Sequence, residues 1–350
     1  MKSFSQLNPA RSTFAGIFGL ILCLLALPCS AQQDIESGVE KDAKPPFDVF
    51  NQAIDNLLIY KHIEEKAVLQ KDSQAPDAVD TLKRQLTSAK PTSDIELDSL
   101  VSQPVPEADD LYQHMVKSSL FLGKFYDCGR CDRSHLALSG GIVISESRLA
   151  LTNYHVMDPK VMGTTEGFIA MAYDGQCFEV EKVLAADQVA DIALVQLKAN
   201  GYKFHAAPIA KSRPSPMNTV HIVSNPSGEF FSLSSGMVSR YSKVRPRKGD
   251  RGRSNAAWLE ITAEFGGGSS GSGIFNAAGE VVGLVSRIRP LKRASSKQLV
   301  AGKELTKQGY VQMIVRRCVD LNSIKACFAS EKTNADLPTV EVEAEVLQGD

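Results

Sequence analysis

The stretch 266–276 reads GGGSSGSGIFN and places a glycine-rich bend with serines directly before an apolar strand. Working outward from it, short apolar runs separated by Gly, Asn, Asp and Ser continue through most of residues 120–320. Such regularly spaced short strands with turn signals are typical of an all-β barrel or sandwich. We therefore predict an all-β body, with a closing helix over Val319–Ala329. The predicted strands are Gly141–Ser145, Leu149–Thr152, Gly167–Ala172, Ile192–Leu197, Thr219–Val223, Gly236–Arg240, Trp258–Thr262, Val281–Val285 and Tyr310–Val315.

Two further motifs carry polar groups beside strands. Residues 149–156 read LALTNYHV, a strand that delivers His155 to its end, and residues 190–195 read ADIALV, in which Asp191 opens an apolar strand. Taken singly, each motif has an ordinary interpretation: a surface histidine, a capping carboxylate or a flexible Gly/Ser loop. Together they meet one chemical requirement. A serine hydroxyl needs an adjacent base, histidine can be that base, and a carboxylate on the other ring nitrogen fixes its tautomer.

Within the bend, Ser270 is the preferred nucleophile because only this serine has Gly at position −2 and Gly at position +1. Its neighbour Ser269 is the alternative. Asp187 is a weaker candidate than Asp191 for the carboxylate, because no apolar strand follows it directly. A tight bend without side-chain bulk also suits an oxyanion hole built from backbone N–H groups.

In this order the motifs resemble those of the trypsin/chymotrypsin-like serine proteases, in the bacterial secreted or periplasmic branch that includes the HtrA/Deg-type and glutamyl-type enzymes. The resemblance covers roughly residues 120–325. The family pattern continues Gly-Gly-Pro or Gly-Ser-Pro after the nucleophile, whereas this chain has Gly271-Ser272-Gly273, which loosens the bend but removes no catalytic group. The matching segments are Thr152–Val156 (T-N-x-H-V), Asp191–Leu194 (D-[IL]-A-L), Asn225–Gly228 (N-P-x-G), Ser235–Ser239 (S-G-x-V-S) and Gly268–Ser272 (G-x-S-G-[GS]).

The resemblance implies two six-stranded antiparallel β-barrels, over residues 116–205 and 206–330. It also implies a catalytic triad in which Ser270 attacks the peptide carbonyl, His155 is general base and then general acid, and Asp191 orients His155. The N–H groups of Gly268 and Ser270 are the expected oxyanion hole. The expected partners are protein or peptide substrates, and no cofactor or metal is expected.

The sequence determines the substrate specificity less clearly than it determines the candidate triad. Glu264 lies six residues before Ser270, where family members often place the residue at the base of the primary specificity pocket, which would favour a basic residue N-terminal to the cut. A surface glutamate with no such role is the alternative, and His221 and Arg316 would instead favour an acidic residue. The strand Val282–Ser286 is expected to pair with the substrate backbone. The candidate substrate-binding residues are Glu264, Leu284, Val285 and Ser286.

The net charge of −1 hides strong segregation. Residues 32–115 carry a charge of −9, residues 116–330 carry +11, and the tail 331–350 carries −5. Residues 32–115 form a helical or disordered acidic leader, in which we predict helices after Pro45-Pro46, over Asp77–Leu86, and near 94–100 and 107–120. The leader is interpreted as a propeptide or regulatory region, and its opposite charge suggests that it docks on the basic body and restrains the enzyme.

The first 31 residues resemble an export signal. Lys2 and Arg11 precede a 14-residue apolar run over Phe14–Leu27, and Cys29-Ser30-Ala31 places small residues before a cleavage point. This run is short for a membrane anchor, which needs about 20 apolar residues. We predict export to the periplasm or the medium and no membrane span after cleavage. Because few residues follow the last predicted strand, we expect no additional peptide-binding (PDZ) domain of about 100 residues.

Five cysteines remain after this cleavage, so at least one is unpaired within the chain. Cys318 and Cys327 are candidates for a disulfide that closes a short loop. Cys128 and Cys131 form a C-x-x-C pair, which we interpret first as a disulfide, then as half of a zinc site with His135, and last as a redox pair. The redox interpretation ranks last because strand-like sequence follows the pair instead of a helix.

Two other classes of function are weighed. A catalytically silent protease-fold scaffold is the main alternative, although all three triad residue types are present. A redox or metal module around Cys128 and Cys131 leaves the Ser270 bend unexplained. The basic stretch Arg240–Arg253 has seven basic residues but only Tyr241 as an aromatic, so we interpret it as a solvated loop and expect no nucleic-acid binding. The sequence carries no signal for an oligomeric state.

Overall fold

Three helices precede the strands. In the computed structural model, which describes residues 45–329 except 106, 108–109, 132, 160–162, 200, 254, 293–295, 301–302 and 308–309, these are α1 (Asn56–Ser73), α2 (Ala78–Ser88) and α3 (Leu111–Ser118). A 3₁₀ turn lies at Leu97–Ser99. The carboxylate of Asp55 caps α1 by accepting the N–H groups of the second and third helical residues. The predicted helical character is thus confirmed for this part of the leader.

Six strands close the first barrel. Their order around the barrel is β1-β3-β4-β7-β6-β5, and β5 pairs back with β1 through Phe121 and Met171. All pairs are antiparallel, and a short strand β2 extends β1 beyond the barrel. A single helical turn, α4 (Tyr154–Met157), follows β4. The strands are β1 (Ser119–Asp127), β2 (Ser134–Ala137), β3 (Gly140–Ser145), β4 (Leu149–Thr152), β5 (Thr164–Met171), β6 (Cys177–Asp187) and β7 (Ile192–Lys198).

The second barrel is also closed by six antiparallel strands, in the order β10-β15-β12-β11-β8-β9. A separate hairpin, β13 (Ser296–Val300) with β14 (Lys303–Lys307), lies between β12 and β15 in sequence. The short helix α5 (Leu321–Lys325) follows β15. The all-β, two-barrel prediction is therefore confirmed. The barrel strands are β8 (Thr219–Ser224), β9 (Ser232–Lys243), β10 (Ala257–Ile261), β11 (Gly273–Phe275), β12 (Val281–Lys292) and β15 (Val311–Asp320).

Each barrel has its own apolar centre, and a third cluster joins the barrels to the helices. Helix α1 contributes Ile59, Ile63 and Ala67, which recur every four residues and therefore share one face. They lie in the same buried cluster as Phe121 of β1 and Phe275 of β11. The leader helices are thus part of the common core.

The chain between α2 and α3 also connects both barrels. The backbone N–H and the hydroxyl of Ser93 donate to the carbonyl of Cys327 at 2.8 and 2.7 Å. Further along, the N–H of Gln103 donates to the carbonyl of Ala206 at 2.8 Å. The part of the leader that the structure describes is therefore tied to the end of the second barrel and to the linker between the barrels.

Two predicted helices need correction. The helix predicted near 107–120 ends at Ser118, because Ser119 and the residues after it form β1, a strand that the pattern did not reveal. The closing helix predicted over Val319–Ala329 is only the five-residue α5, since Val319 and Asp320 still pair in β15. The predicted signal peptide and the tail 331–350 lie outside the described residues. None of the described helices is both long enough and apolar enough to cross a bilayer.

Candidate active site

The end of β4 positions His155. The hydroxyl of Thr152 donates to the carbonyl of Gly140 at 2.8 Å, and the side-chain amide of Asn153 donates to the carbonyl of Asp191 at 3.0 Å. Both side chains are fully buried, so they fix the strand end against its neighbours. The turn of α4 then presents His155, whose side chain is 45% exposed. The polar residues of this motif thus locate the imidazole at the barrel surface.

The carboxylate of Asp191 lies against this imidazole. Asp191 has a left-handed backbone, with φ of 59°, which few residues other than glycine adopt and which often marks a functional site. His155 Nδ1 lies 2.9 Å from Oδ1 and 3.0 Å from Oδ2, and the backbone N–H of His155 donates to Oδ1 at 3.2 Å. The buried carboxylate therefore holds both the ring and the backbone of His155.

Two residues of β12 contact the same carboxylate. The hydroxyl of Ser286 donates to Asp191 Oδ2 at 2.5 Å, and Arg287 Nη2 lies 3.1 Å from that oxygen. The guanidinium of Arg287 lies over the ring of Trp258, 4.7 Å from its centroid. Burial alone raises the pKa of Asp191, but the charge and hydrogen bond of His155, together with Arg287 and Ser286, outweigh burial and hold this pKa below its usual value.

The Ser270 bend, between β10 and β11, depends on glycines with positive φ. Gly268 has φ of 95° and Gly271 has φ of 84°. A Cβ at position 268 would lie 2.5 Å from the carbonyl oxygen of Asn225, and one at 271 would lie 2.2 Å from that of Gly140. Both approaches are closer than real Cβ contacts. Only glycine therefore fits at either position without a shift of the backbone.

The bend joins the second barrel to the first. The N–H of Gly140, in β3, donates to the carbonyl of Ser270 at 2.7 Å. The hydroxyl of Ser270 donates to the carbonyl of Ser286 at 3.2 Å. Ser286 therefore bridges Ser270, through its carbonyl, and Asp191, through its hydroxyl. Among the described residues, the N–H groups of Gly268 and Ser270 have no hydrogen-bond acceptor and remain available to an incoming oxygen.

Ser269 and Asp187, the alternative candidates, lie in other environments. Ser269 is fully buried and its hydroxyl donates to Ser224 Oγ at 3.1 Å. Asp187 is also fully buried and forms an ion pair with Arg253, whose Nε lies 2.8 Å from Oδ2. Both groups are thus engaged in contacts inside the protein.

The part of β12 that is free to bind substrate begins later in the sequence than predicted. Leu284 pairs with Gly273 of β11 on one side and Val319 of β15 on the other, and Val285 is buried. Beyond Ser286, β12 pairs with β15 alone within the described chain. The free edge that could accept a peptide therefore begins at Ser286, and Leu284 and Val285 are core residues.

The candidate specificity residues lie at the surface of the second barrel. The side chain of Glu264 is 83% exposed and pairs with Arg316 Nη2 at 2.8 Å. Arg316 itself is only 16% exposed, and its Nε has no hydrogen-bond acceptor in the part of the chain that the structure describes. His221 lies on β8, and its Nδ1 is 2.7 Å from Ser235 Oγ. Glu264 is thus an exposed carboxylate that pairs with Arg316.

A cavity of about 430 Å³ lies beside the imidazole, with His155 and Arg287 in its wall. Arg245 and Arg247 of the basic stretch line it as well. Since Arg253 of the same stretch is buried in its ion pair, these basic residues are not one uniformly solvated loop.

The described cysteines are all free thiols. Cys318 lies in the core of the second barrel, whereas Cys327 lies in the cluster between the barrels, where its thiol donates to the carbonyl of Ser323 at 3.5 Å. The disulfide expected between them is not formed. Cys128 Sγ and Cys131 Sγ lie 3.6 Å apart without a bond, beside the ring of His135.

Two side-chain contacts of Asp191 were not predicted from the sequence motifs. Ser286 was expected to bind substrate through its backbone, but its hydroxyl also holds Asp191. Arg287 was not singled out, because nothing in its local sequence distinguishes it from other exposed arginines. Its position directly after Ser286, at the strand expected to reach the site, was the only available signal.

Comparison with known proteins agrees with this arrangement. Residues 139–284 match the family model of the trypsin-like peptidase domain. The chain is 27% identical over 170 residues to a putative serine protease HhoA of Synechocystis sp., covering 48% of this chain and 41% of that protein. It is 31% identical over 149 residues to serine protease HTRA1 of Xenopus laevis (42% of this chain, 31% of that protein). It is 29% identical over 150 residues to the pro-apoptotic serine protease NMA111 of Scheffersomyces stipitis (41% and 15%).

The chain spans less than half the length of these curated relatives. The matched region contains all three candidate triad residues, His155, Asp191 and Ser270. It also contains strands of both closed barrels. Residues 139–284 therefore match the trypsin-like peptidase domain, and the chain is similar to serine proteases of the HtrA family.

Proposed function

We propose that the chain is an exported serine endopeptidase that hydrolyses peptide bonds through Ser270, His155 and Asp191. One observation carries this proposal: the imidazole–carboxylate pair at 2.9 Å is connected to the Ser270 hydroxyl through a single residue, Ser286. The relatedness to serine proteases supports the same reaction class.

In the first half of the reaction, the Ser270 hydroxyl leaves the Ser286 carbonyl by rotation about its Cα–Cβ bond and turns toward His155. Its oxygen attacks the substrate carbonyl carbon while His155 Nε2 takes its proton. The tetrahedral intermediate then breaks its C–N bond, and the imidazolium gives the proton to the leaving amine. The products are an acyl-enzyme on Ser270 and a free amine. Water repeats these steps and releases the acid.

Asp191 sets the direction of this proton transfer. Because its carboxylate accepts the Nδ1–H of His155, the lone pair of the neutral ring lies on Nε2. The hydroxyl of Ser286 and the guanidinium of Arg287 hold the carboxylate from other directions. We infer that both are positioning residues, since they act on His155 through Asp191.

The N–H groups of Gly268 and Ser270 would hold the oxyanion. Both are free of acceptors among the described residues, and the positive φ of Gly268 shapes the backbone that carries them. Removing one donor of such a hole typically costs about a hundred- to a thousandfold in rate.

The substrate would lie extended along the edge of β12 that begins at Ser286. Either Glu264 or Arg316 would select the substrate residue at the cut. These two side chains form an ion pair with each other in the free protein. If Glu264 selects, Glu264→Gln lowers cleavage after basic residues. If Arg316 selects, Arg316→Gln lowers cleavage after acidic residues. A peptide-library profile separates the two.

We also propose the organisation predicted from the sequence. The composition of residues 1–31 supports a cleaved export signal, followed by the leader 32–115, the barrels 116–205 and 206–330, and the acidic tail 331–350. The division between the barrels is supported by the sheet order, since β1 with β3–β7 and β8–β12 with β15 form separate closed barrels.

Labelling with a fluorophosphonate tests the proposed chemistry. The probe should modify Ser270 in the residue 32–350 form, and Ser270→Ala should abolish labelling and peptide cleavage. Ser269→Ala is the matched control, because that hydroxyl is buried and should leave labelling intact. Labelling that survives in Ser270→Ala would contradict the proposal. A folded wild-type chain that neither labels nor cleaves would instead support the silent-scaffold alternative.

A further inference from the structure

The hairpin of β1 and β2 brings together three side chains that the proposed protease chemistry does not use. Its strands pair up to Asp127 and Ser134, and the loop between these two residues carries Cys128 and Cys131. His135 follows on β2, where it pairs with Tyr126 of β1. The hairpin topology therefore places an imidazole directly beside a C-x-x-C pair.

The ligand atoms of these three side chains converge. Cys128 Sγ and Cys131 Sγ are 3.6 Å apart, and His135 Nε2 lies 3.1 Å from Cys131 Sγ. All three atoms lie within 4.8 Å of one another. Two thiolates bound to one tetrahedral zinc ion, each at about 2.3 Å, are about 3.8 Å apart. A disulfide requires about 2.05 Å. The observed sulfur separation is thus close to that of a shared ion.

The surrounding residues fix this arrangement. The ring of Tyr126 lies against that of His135, with centroids 5.5 Å apart and an angle of 30° between the planes. The carboxylate of Asp127 accepts the N–H of Gly129 at 2.7 Å, and Gly129 has a positive φ of 66° that few other residues adopt. Cys131 is exposed, so an ion can reach the cluster from solvent.

We propose that Cys128, Cys131 and His135 bind one Zn²⁺ ion, with the fourth coordination position open to water or to an external ligand. Two thiolates and an imidazole suit zinc and do not suit the oxygen-seeking Mg²⁺ or Ca²⁺. Binding releases the two thiol protons, so the bound cluster is electrically neutral. This inference is independent of the proposed protease activity.

The ion would restrain β2, which precedes β3, the strand that contacts the nucleophile bend. Five residues after His135, the N–H of Gly140 donates to the carbonyl of Ser270. Binding closes the β1–β2 loop and restrains β2, which leads directly into that contact. We therefore expect zinc to raise the thermal midpoint of the domain.

Cobalt binding to the untagged full chain, reduced and freed of metal, tests the site. Co²⁺ should bind at one equivalent, with thiolate charge-transfer absorption and the visible bands of tetrahedral coordination, and Zn²⁺ should displace it. His135→Gln and Cys131→Ser should each weaken binding more than about tenfold. Cys177→Ser is the matched control, since this half-buried thiol lies elsewhere and should leave binding unchanged.

Three other outcomes would contradict the proposed zinc site. One is equal affinity in the wild type and in a folded Cys128→Ser/Cys131→Ser variant, with folding verified by circular dichroism. A second is an octahedral cobalt spectrum. A third is a chain isolated with a Cys128–Cys131 disulfide whose reduced form binds no cobalt. His135→Gln is informative here because it removes the imidazole but retains both thiols.

Discussion

Arg287 Nη2 lies 3.1 Å from Asp191 Oδ2, so a fixed positive charge contacts the carboxylate that holds His155. A negative carboxylate stabilises the imidazolium that forms during proton transfer. The neighbouring guanidinium helps to hold the pKa of that carboxyl below its usual value, so the carboxyl stays negatively charged. Arg287 thereby connects the substrate-side strand to the carboxylate that orients the base.

We predict that Arg287→Gln lowers kcat, because the carboxylate of Asp191 loses one of the two side chains of β12 that hold it against His155. Steady-state kinetics on one peptide measures this loss. Arg289→Gln, an exposed arginine on the same strand, is the control and should leave kcat in place. An unchanged kcat in Arg287→Gln would refute the role assigned to Arg287.

The Gly268 position offers a second test. We predict that Gly268→Ala lowers kcat about a hundred- to a thousandfold, because its Cβ would lie 2.5 Å from the carbonyl oxygen of Asn225 and must displace the backbone that forms the oxyanion hole. Gly267→Ala is the matched control, since within the described chain no atom other than those of its sequence neighbours lies within 4 Å of a Cβ there. Steady-state kinetics on one peptide compares the two, and similar rates in both variants would argue against this hole.

The motifs around His155, Asp191 and Ser270 could be found in the sequence because each is local: a strand end, a strand start and a glycine bend. The contact of Arg287 with Asp191 could not, because the residues are 96 positions apart and meet only after both barrels have closed. For the same reason the hydroxyl contact of Ser286 was not predicted. Local patterns therefore identify candidates, whereas their supporting contacts depend on tertiary structure.

The difference between local patterns and tertiary contacts also explains which strands could be predicted from the sequence. All nine predicted strand segments correspond to strands of the structure, but β1, β2, β6, β13 and β14 were not predicted. The first seven residues of β1 are buried, including Lys124, whose ammonium group donates to the carbonyl of Asp158 at 2.8 Å. A strand buried on both faces lacks the alternation of polar and apolar residues that identifies a half-exposed strand.

Helix α1 permits a test of the leader's place in the fold. Ile63 is fully buried in the cluster shared with both barrels, so Ile63→Ala should lower the free energy of unfolding by about 2–5 kcal/mol. Leu69→Ala, at a site 61% exposed on the same helix, should cost less than about 0.5 kcal/mol. Urea unfolding measures both. Equal midpoints would show that α1 does not stabilise the protease body in solution.

A histidine pair predicts how stability depends on pH. His114 Nε2 lies 3.0 Å from the carbonyl oxygen of Gly279, and His114 Nδ1 lies 3.1 Å from His205 Nε2, an arrangement that two neutral rings satisfy. Burial, then the charges of His114 and Lys117, lower the pKa of His205 to about 4, although Glu146 acts in the opposite direction. Burial also lowers the pKa of His114.

Because these folded-state pKa values lie below the unfolded value near 6.5, the unfolded chain binds more protons as pH falls. The stabilising contribution is therefore complete above about pH 6.5 and is lost as pH falls toward 4, by at most about 1.4 kcal/mol per pH unit for each ring. His205→Gln should flatten this dependence in urea unfolding between pH 7 and 4.5. A slope that is equally steep in the variant would rule out the pair as its source.

The buried ion pair of Asp187 and Arg253 anchors the basic stretch, and its contribution to the free energy of unfolding can be tested. Arg253 Nε lies 2.8 Å from the fully buried carboxylate, whose oxygens also accept the N–H groups of Arg253 and Ala190. Asp187→Asn would leave a buried guanidinium without its counter-charge, so we predict a loss of about 3–5 kcal/mol in the free energy of unfolding. Glu179→Gln, which breaks a more exposed pair with Lys198, should cost less than about 1 kcal/mol and is the control. Comparable losses in both variants would mean that the buried pair contributes no more than a surface pair.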